Sequence, residues 1–281
     1  GVPHSGPERR QRRPLPSFGR QLHLRARPRG LRVEVGHELA DVPRLHVGFA
    51  RHALQAGYGE RLQVICVVPA VLEEHRPILL ERERLESLAV VPVYELSHAE
   101  RLWLQQLAER YKTDPGNIEV LLRRVDIVPP SLALAQAAVE SGLGTSRFAQ
   151  EANAVFGQWT YERSLGLSPA EADDDARHYI RAFNLLPDSV SSYLRNLNTH
   201  FAYSSFRNRR MFMREYIGEL DPVGLASSLL HYSETRGKYV DSIRLIIERN
   251  GLTGYDRAKL RDLGGSIPIP VSYTHLRAHE T

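Results

Sequence analysis

Apolar side chains recur at helical spacing from residue 62 to residue 125, with charged residues between them. In the first stretch, 62–88, the apolar positions are Val68, Val71, Leu72, Ile78, Leu79 and Leu85. Pro69 and Pro77 interrupt this stretch, and because proline removes a helical hydrogen bond we expect two shorter helices there. A capping box at 97–100 starts a further helix. The segment 62–125 is therefore predicted to be a helical lead-in.

The next predicted helix is rich in alanine and leucine and runs from Ser131 to Ser141. Proline precedes it and glycine follows it, which is the usual order at helix ends. Its one ionisable side chain, Glu140, stands at its end. An apolar surround would raise the pKa of that carboxyl, as a general acid working near neutral pH requires. The alternative is a helix-terminal carboxylate that faces water, and the spacing alone leaves both open.

After Phe156 the pattern changes from helical spacing to alternation. Polar and apolar residues alternate at 158–161 and at 178–183, as they do in half-buried strands. We therefore predict a small β-hairpin with a long, irregular, polar tip. The acids of this tip are Glu171, Asp173, Asp174 and Asp175. Helical patterns resume at 188–196, 211–216, 223–232 and 238–249.

The segments AQAAVESGLGTSRFA (135–149) and NAVFG (153–157) resemble the peptidoglycan-cleaving glucosaminidase family. This family has a mannosyl-glycoprotein endo-β-N-acetylglucosaminidase-like domain, and the likeness is to its bacterial Bax-like members. The resemblance runs from about residue 62 to residue 252 and is specific at 129–159. It implies a mainly α (α+β) fold: a lysozyme-like helical domain with a small β-hairpin lobe and a cleft between them. The glucosaminidase catalytic domain is placed at 126–252.

The resemblance implies two classes of function. The first is a glycoside hydrolase, an endo-β-N-acetylglucosaminidase that cleaves β-1,4 bonds at N-acetylglucosamine in peptidoglycan glycan strands, with Glu140 as general acid. The alternative is a catalytically weak or inactive cell-wall-binding or scaffold protein of the same fold. This alternative rests on Leu143 and on the unassigned second catalytic acid. The family usually has tryptophan after Glu-Ser-Gly, and the change to leucine would remove an aromatic wall of the cleft.

Glycoside hydrolysis normally uses two carboxyl groups. Relatives in this family have a second catalytic glutamate in the hairpin after the Asn-Phe-Gly block, where this chain offers Glu162 and Glu171 as candidate second acids. An alternative is substrate assistance, in which the acetamido group of the sugar acts as nucleophile. The sequence leaves inverting, retaining and substrate-assisted mechanisms open.

Aromatic residues supply the other candidate site residues. His231-Tyr232-Ser-Glu234, with Tyr239 seven residues after Tyr232, resembles a later motif of the family. The resemblance places Tyr232 close to Glu140, where its hydroxyl would orient substrate or water; the alternative is a core tyrosine. The candidate sugar-binding residues are Phe156, Trp159, Tyr161 and Tyr239.

Several kinds of chemistry are not indicated. The chain has no HExxH or paired CxxC spacing and no phosphate loop, so we expect neither a metal nor another cofactor. No run of about 18 apolar residues predicts a membrane span. The Arg-rich start has no apolar stretch behind it and is not a signal peptide. The resemblance nevertheless implies the periplasm or cell envelope, with the export signal absent from this chain.

The net charge of +4 is unevenly distributed along the chain. Residues 1–30 have eight arginines and one glutamate, a net +7, so the remainder sums to −3. The catalytic part is therefore not a polycation, and no nucleic-acid partner is expected for it.

Both ends of the chain lack a sustained apolar period. The Arg/Pro-rich segment 1–61 is predicted to be a disordered or unreliable tail, with a basic nucleic-acid-binding arm as the alternative. Residues 253–281 are predicted to be a second tail, within which 271–281 (VSYTHLRAHET) resembles a translated sequencing adapter. His275 and His279 are accordingly not interpreted as a metal pair.

Overall fold

The structure is a computed structural model that describes residues 32–35, 38–41, 59–168 and 178–261. The α-helices in these ranges are α1 (Gly59–Ala89), α2 (His98–Arg110), α3 (Ile118–Arg124), α4 (Pro130–Glu140), α5 (Arg147–Ala152), α6 (Leu186–Thr199), α7 (Ser204–Phe212), α8 (Pro222–Ala226) and α9 (Gly237–Arg249). The strands are β1 (Arg32–Val35), β2 (Glu38–Asp41), β3 (Trp159–Thr160), β4 (Gly166–Leu167), β5 (Tyr179–Arg181) and β6 (Lys259–Arg261). No helix in the described ranges is long and apolar enough to cross a membrane.

Helix α4 lies at the centre of the main core. Every residue from Pro130 to Ala138 is buried, and α1, α8, α9 and the 3-10 segment Leu252–Arg257 pack around it. Pro130 stands in the first turn, as the sequence predicts. Because the helix is covered on all sides, its apolar run leads to a single half-buried carboxyl at its end, that of Glu140.

Helix α1 is one continuous helix of 31 residues, so the prediction of two shorter helices at 62–88 is wrong. A proline inside a helix costs about 3 kcal/mol. Around Pro69, Val67, Val68, Ala70 and Val71 are buried in the main core. Burying one valine contributes about 1.5–3 kcal/mol, so this packing against α4 and α6 offsets the cost of the prolines.

A second, smaller hydrophobic cluster lies within the predicted lead-in. Its buried residues include Leu85, Leu104, Leu107, Leu121 and Val125, contributed by α1, α2, α3 and the residue that follows α3. The side chain of Ile78 packs against both this cluster and the main core. The lead-in is thus attached to the rest of the molecule through the long helix α1.

A buried cluster of charges connects the lead-in to the main core. The carboxylate of Asp126 lies 2.8 Å from Arg214 Nη2, 3.5 Å from Arg82 Nη1 and 3.6 Å from Arg210 Nε. Burial by itself would raise the pKa of Asp126, but the charge of Arg210, the hydrogen bond from Arg214 and the charge of Arg82 outweigh it and lower that pKa. One carboxylate therefore holds side chains from α1, α7 and the turn after α7.

The β-lobe is a three-stranded antiparallel sheet with strand order β3-β5-β4. Trp159 pairs with Ile180, which confirms the hairpin predicted at 158–161 and 178–183. Asn153 Nδ2 donates to the carbonyls of Phe183 (3.0 Å) and Asn184 (3.1 Å) and so attaches the lobe to the end of α5. The predicted fold class, mainly α with a small β-lobe, is confirmed. The tip acids Glu171, Asp173, Asp174 and Asp175 lie outside the described residues.

The C-terminal boundary differs from the predicted tail at 253–281. Leu252 and Ala258 are buried in the main core, and β6 pairs with β1 in a sheet of order β2-β1-β6. The Asp256 carboxylate accepts hydrogen bonds from the Ser131 amide and hydroxyl, both at 2.8 Å, and so caps the start of α4. Part of the predicted 1–61 tail likewise forms β1 and β2. The adapter-like residues 271–281 lie outside the described ranges.

The helices after the β-lobe match the predicted pattern at 188–196 and 238–249. The helix predicted at 211–216 falls instead on the end of α7 and on a π-helix at Met213–Ile217. The second difference lies near residue 230. The pattern at 223–232 predicted one helix, but α8 ends at Ala226. The chain from 227 to 236 instead forms turns. Ser227 and Ser228 favour local hydrogen bonds over helix interiors, which is consistent with this early end. The turns bring residues 230–236 to a cleft beside Glu140.

Candidate active site

A cleft of about 660 Å³ lies beside the C-terminal end of α4. Its lining residues are Glu140, Phe156, Gly157, Gln158, Trp159, Asn196, Tyr203 and residues 230–236. Within the described ranges no three His, Cys, Asp or Glu side chains come together as a metal site. The cleft therefore combines one partly buried acid with amide, hydroxyl and aromatic groups, which is a lining suited to a sugar.

The turn after Glu140 fixes where α4 ends. Gly142 has φ +57°, the Leu143 amide donates to the Ala138 carbonyl at 2.8 Å, and the Gly142 amide donates to the Val139 carbonyl at 3.4 Å. This is a Schellman motif, which terminates a helix with a left-handed residue. Glu140 is consequently the last residue of α4, and its side chain stands at the edge of the buried helix.

Burial raises the pKa of the Glu140 carboxyl from 4.5 to about 7, and a hydrogen bond from Tyr239 opposes the rise. The side chain is partly buried and lines the cleft, so the structure differs from the alternative of a carboxylate that faces water. At neutral pH a large fraction of such a carboxyl is protonated and able to donate. The environment expected from the apolar run is therefore present.

The backbone approaches Glu140 most closely at Gly157, which has φ +60°. A Cβ atom built at this position would lie 2.7 Å from Glu140 Oε2, closer than real Cβ contacts allow. Only glycine permits both this backbone conformation and this approach. The glycine of the Asn-Ala-Val-Phe-Gly block thus forms one wall of the acid's pocket.

Replacing Gly157 with alanine is expected to displace the Glu140 carboxyl from Tyr239 and to reduce glycan cleavage by at least tenfold, because the new methyl group occupies the position of Oε2. Gly251→Ala is the matched control, since Gly251 has φ +59° and open space around it. Both variants carry the backbone strain of a left-handed alanine, about 1 kcal/mol or more. Cleavage rates and thermal melts of the two proteins separate strain from displacement. Equal activity in both would contradict the role given to Gly157.

Two tyrosines of the predicted later motif lie close to Glu140. Tyr239 is buried, lies outside the cleft lining and is hydrogen-bonded to Glu140, a position different from the substrate-binding one predicted for it. Tyr232 lines the cleft, and its ring stacks on that of Tyr239 with centroids 5.6 Å apart. Its hydroxyl donates to the Phe156 carbonyl at 3.0 Å. In the described contacts Tyr232 therefore orients the backbone beside Gly157, whereas the resemblance implied substrate or water.

The three remaining aromatic candidates occupy different environments. Phe156 is 1% exposed, and its ring stacks on Tyr193 at 4.0 Å in the core. Tyr161 is 84% exposed but lies outside the cleft lining. Trp159 is 57% exposed, lines the cleft and stacks on His178 at 4.2 Å. Phe156 and Trp159 both line the cleft, but of the two only Trp159 has a largely exposed side chain.

The candidate second acids are not brought to Glu140 in the described residues. Glu162 is exposed, accepts a hydrogen bond from Ser164 Oγ at 2.8 Å and lies outside the cleft lining. Glu171 lies outside the described residues. Glu234 does line the cleft; it ends the motif His231-Tyr232-Ser-Glu234, but nothing in that motif distinguishes it from an ordinary solvated turn residue. The one sequence signal that could have identified Glu234 is its position two residues after Tyr232.

Leu143, the departure from the family pattern, is 40% exposed with φ +58°. It lies on the turn after Glu140 and outside the cleft lining. The Leu143 side chain is therefore not part of the described lining.

Comparison with known proteins identifies the family of this chain. The family model for mannosyl-glycoprotein endo-β-N-acetylglucosaminidase matches residues 117–252, which include the cleft. The protein Bax of Escherichia coli (strain K12) is 35% identical over 195 residues, which make up 64% of this chain and 68% of that protein. The catalytic domain of the autolysin Auto from Listeria monocytogenes has a TM-score of 0.36 at 17% identity, over 63% of this chain and 97% of that domain. The chain belongs to the glucosaminidase family of glycoside hydrolases and is a Bax-like member of it.

Proposed function

We propose that the protein is an endo-β-N-acetylglucosaminidase that cleaves β-1,4 bonds at N-acetylglucosamine in the glycan strands of peptidoglycan. The observation that supports this most directly is the Glu140 carboxyl, which lines the cleft with a pKa raised to about 7. A carboxylic acid with such a pKa is suited to protonate the oxygen of a leaving sugar near neutral pH.

In the proposed reaction, protonated Glu140 donates its proton to the glycosidic oxygen as the bond from that oxygen to the anomeric carbon breaks. Positive charge develops on the sugar ring, and water finally replaces the leaving oxygen. The carboxylate left on Glu140 is stabilised by the hydrogen bond from Tyr239. The close approach of Gly157 to the Glu140 carboxyl restricts its movement during this step.

There are three candidates for the second catalytic group, the one that would activate water or attack the sugar. Glu234 is the other acid that lines the cleft among the described residues, Glu171 follows β4 in the polar segment, and the acetamido group of the substrate needs no second acid. Glu162 is the weakest candidate because it lies outside the lining.

Trp159 is proposed to bind a sugar ring. One face of its indole is covered by His178, and more than half of the side chain remains exposed. The apolar face of a pyranose can pack against such a surface while its hydroxyls reach the neighbouring polar groups. Because the proposed substrate surrounds the cell, the same proposal places the protein in the periplasm or cell envelope.

The test is to incubate the full chain with purified peptidoglycan and to analyse the soluble products by mass spectrometry after borohydride reduction. We expect new reducing ends on N-acetylglucosamine. Reducing ends on N-acetylmuramic acid would assign the cleavage to the other β-1,4 bond and contradict the proposal. Glycan that is bound but intact would favour the wall-binding alternative.

A further inference from the structure

We infer that Gln136 is a positioning residue that makes Tyr239 a hydrogen-bond donor to the Glu140 carboxyl. The catalytic importance of this role rests on the proposed function of Glu140. Gln136 is buried on α4, four residues before Glu140 and so on the same face of the helix. It does not line the cleft and has no contact there with a substrate. Its influence is exerted through Tyr239.

Three hydrogen bonds form a chain behind the acid. The Tyr193 hydroxyl donates to Gln136 Oε1 at 2.7 Å, and Gln136 Nε2 donates to the Tyr239 hydroxyl at 3.0 Å. The Tyr239 hydroxyl is in turn hydrogen-bonded to Glu140. Gln136, Tyr193 and Tyr239 are all buried, so water does not compete for these groups.

The amide of Gln136 sets the direction of this chain. An amide nitrogen can only donate, so the Tyr239 oxygen accepts from it and the single Tyr239 proton is left for Glu140. The opposite orientation would turn the amide oxygen to Tyr239, which would then donate to Gln136 and accept from a protonated Glu140. Tyr193 opposes this flip, because its hydroxyl already donates to the amide oxygen.

The consequence is that the carboxylate form of Glu140 has a prepared donor. Such a donor stabilises the charge that appears on Glu140 when its proton leaves. The donor therefore favours proton release in the same orientation at every turnover.

The groups around Glu140 permit a clear test by pH. The charge of Glu140 raises the pKa of four tyrosines: Tyr193 on α6, Tyr203 in the 3-10 segment after α6, Tyr232 in the turns before α9, and Tyr239 on α9. Burial raises the pKa of each of them, that of Tyr203 to about 12, so all four stay neutral while Glu140 titrates. His231, Glu234 and Arg236 also line the cleft and are the same residues in every variant compared.

The test is Gln136→Met, which keeps the length of the side chain and removes both of its polar groups. Tyr239 can then rotate and accept from protonated Glu140, so the pKa of Glu140 should rise by about one unit, the equivalent of one hydrogen bond. We expect a roughly tenfold loss of kcat near pH 6, with KM little changed and the alkaline limb of the profile moved to higher pH. Gln106→Met, the same change on the exposed face of α2, is the control.

Two further measurements keep the inference testable. If the Gln136→Met variant unfolds, the double variant Gln136→Met/Tyr193→Phe replaces it. The second change removes the Tyr193 hydroxyl, which would otherwise be buried without its hydrogen-bond acceptor. A carbon-13 NMR titration of Glu140, identified by its absence in Glu140→Gln, needs no substrate and therefore tests the inference even if the proposed function fails. A titration midpoint of Glu140 that is the same with and without Gln136 would overturn it.

Discussion

Replacing Glu140 with glutamine is expected to lower the rate of glycan cleavage by roughly 10²–10⁴-fold, the usual contribution of a general acid. Glutamine retains the size of the side chain but has no proton that it can give to the leaving oxygen. In the unaltered protein the same reasoning predicts that kcat/KM falls as the pH rises above about 7, where Glu140 loses its proton. The measurement is the rate of release of reducing ends from peptidoglycan between pH 5 and pH 9.

The stability of this variant supplies a second, independent readout. The folded-state pKa of Glu140 lies above its ordinary value of 4.5, so the ionised carboxylate costs stability progressively as the pH rises from about 4.5 to about 7. This cost is about 3 kcal/mol at most, and glutamine does not incur it. In urea unfolding, the free energy of unfolding of the variant should therefore exceed that of the parent protein at pH 8 but not at pH 4. Glu151→Gln, on the exposed side of α5, is the control, and a fully active Glu140→Gln protein would refute the assignment.

Replacing Asp126 with asparagine is expected to destabilise the fold by about 3–5 kcal/mol, because breaking a buried ion pair leaves an uncompensated charge. The guanidinium groups of Arg82 and Arg210 are buried; Arg210 would lose its counter-charge, and Arg82 would keep only its pair with Glu86. The pKa of Asp126 is lowered in the folded state, so its contribution is present above the ordinary pKa of 3.8 and is lost as the pH falls below it. Denaturant titrations at pH 7 measure the effect.

The control for this prediction is Glu119→Gln. Glu119 pairs with Arg123 one turn away on α3, and its side chain is mostly exposed, so its loss should cost less than about 1 kcal/mol. A loss for Asp126→Asn no larger than that of the control would show that the three arginines are solvated well enough without a carboxylate.

The sequence was sufficient for features that depend on neighbours along the chain. Pro130 and Gly142 mark the two ends of α4, and the apolar composition between them predicted the environment of Glu140. The alternation at 158–161 and 178–183 predicted the β-lobe. In each case the deciding interactions are local, so that residue type and spacing carry the information.

The features that the sequence did not provide depend on residues far apart in the chain. Gln136 meets partners 57 and 103 residues away, and no pattern indicates which polar group will be buried with which. The close approach of Gly157 to Glu140 likewise exists only after folding. For helix α1 the prediction was wrong for a related reason. Pro69 was expected to interrupt the helix because proline is unfavourable in a helix interior, but burial against α4 and α6 keeps the helix continuous. Residues 252–261 were missed because a short 3-10 segment has no helical period to detect.

The stacked pair of Trp159 and His178 makes the cleft visible to fluorescence. The chain has two tryptophans, and the other, Trp103, lies under the guanidinium of Arg84 in the lead-in, at 4.3 Å from its ring centre. With Trp103 replaced by phenylalanine, the indole emission would come from Trp159 alone. A sugar that covers its exposed face would exclude water and shift that emission to shorter wavelength, while protonation of the imidazole against its other face would quench it. The fluorescence of Trp159 could thus report both sugar binding in the cleft and the protonation of His178, in an experiment that does not depend on glycan cleavage.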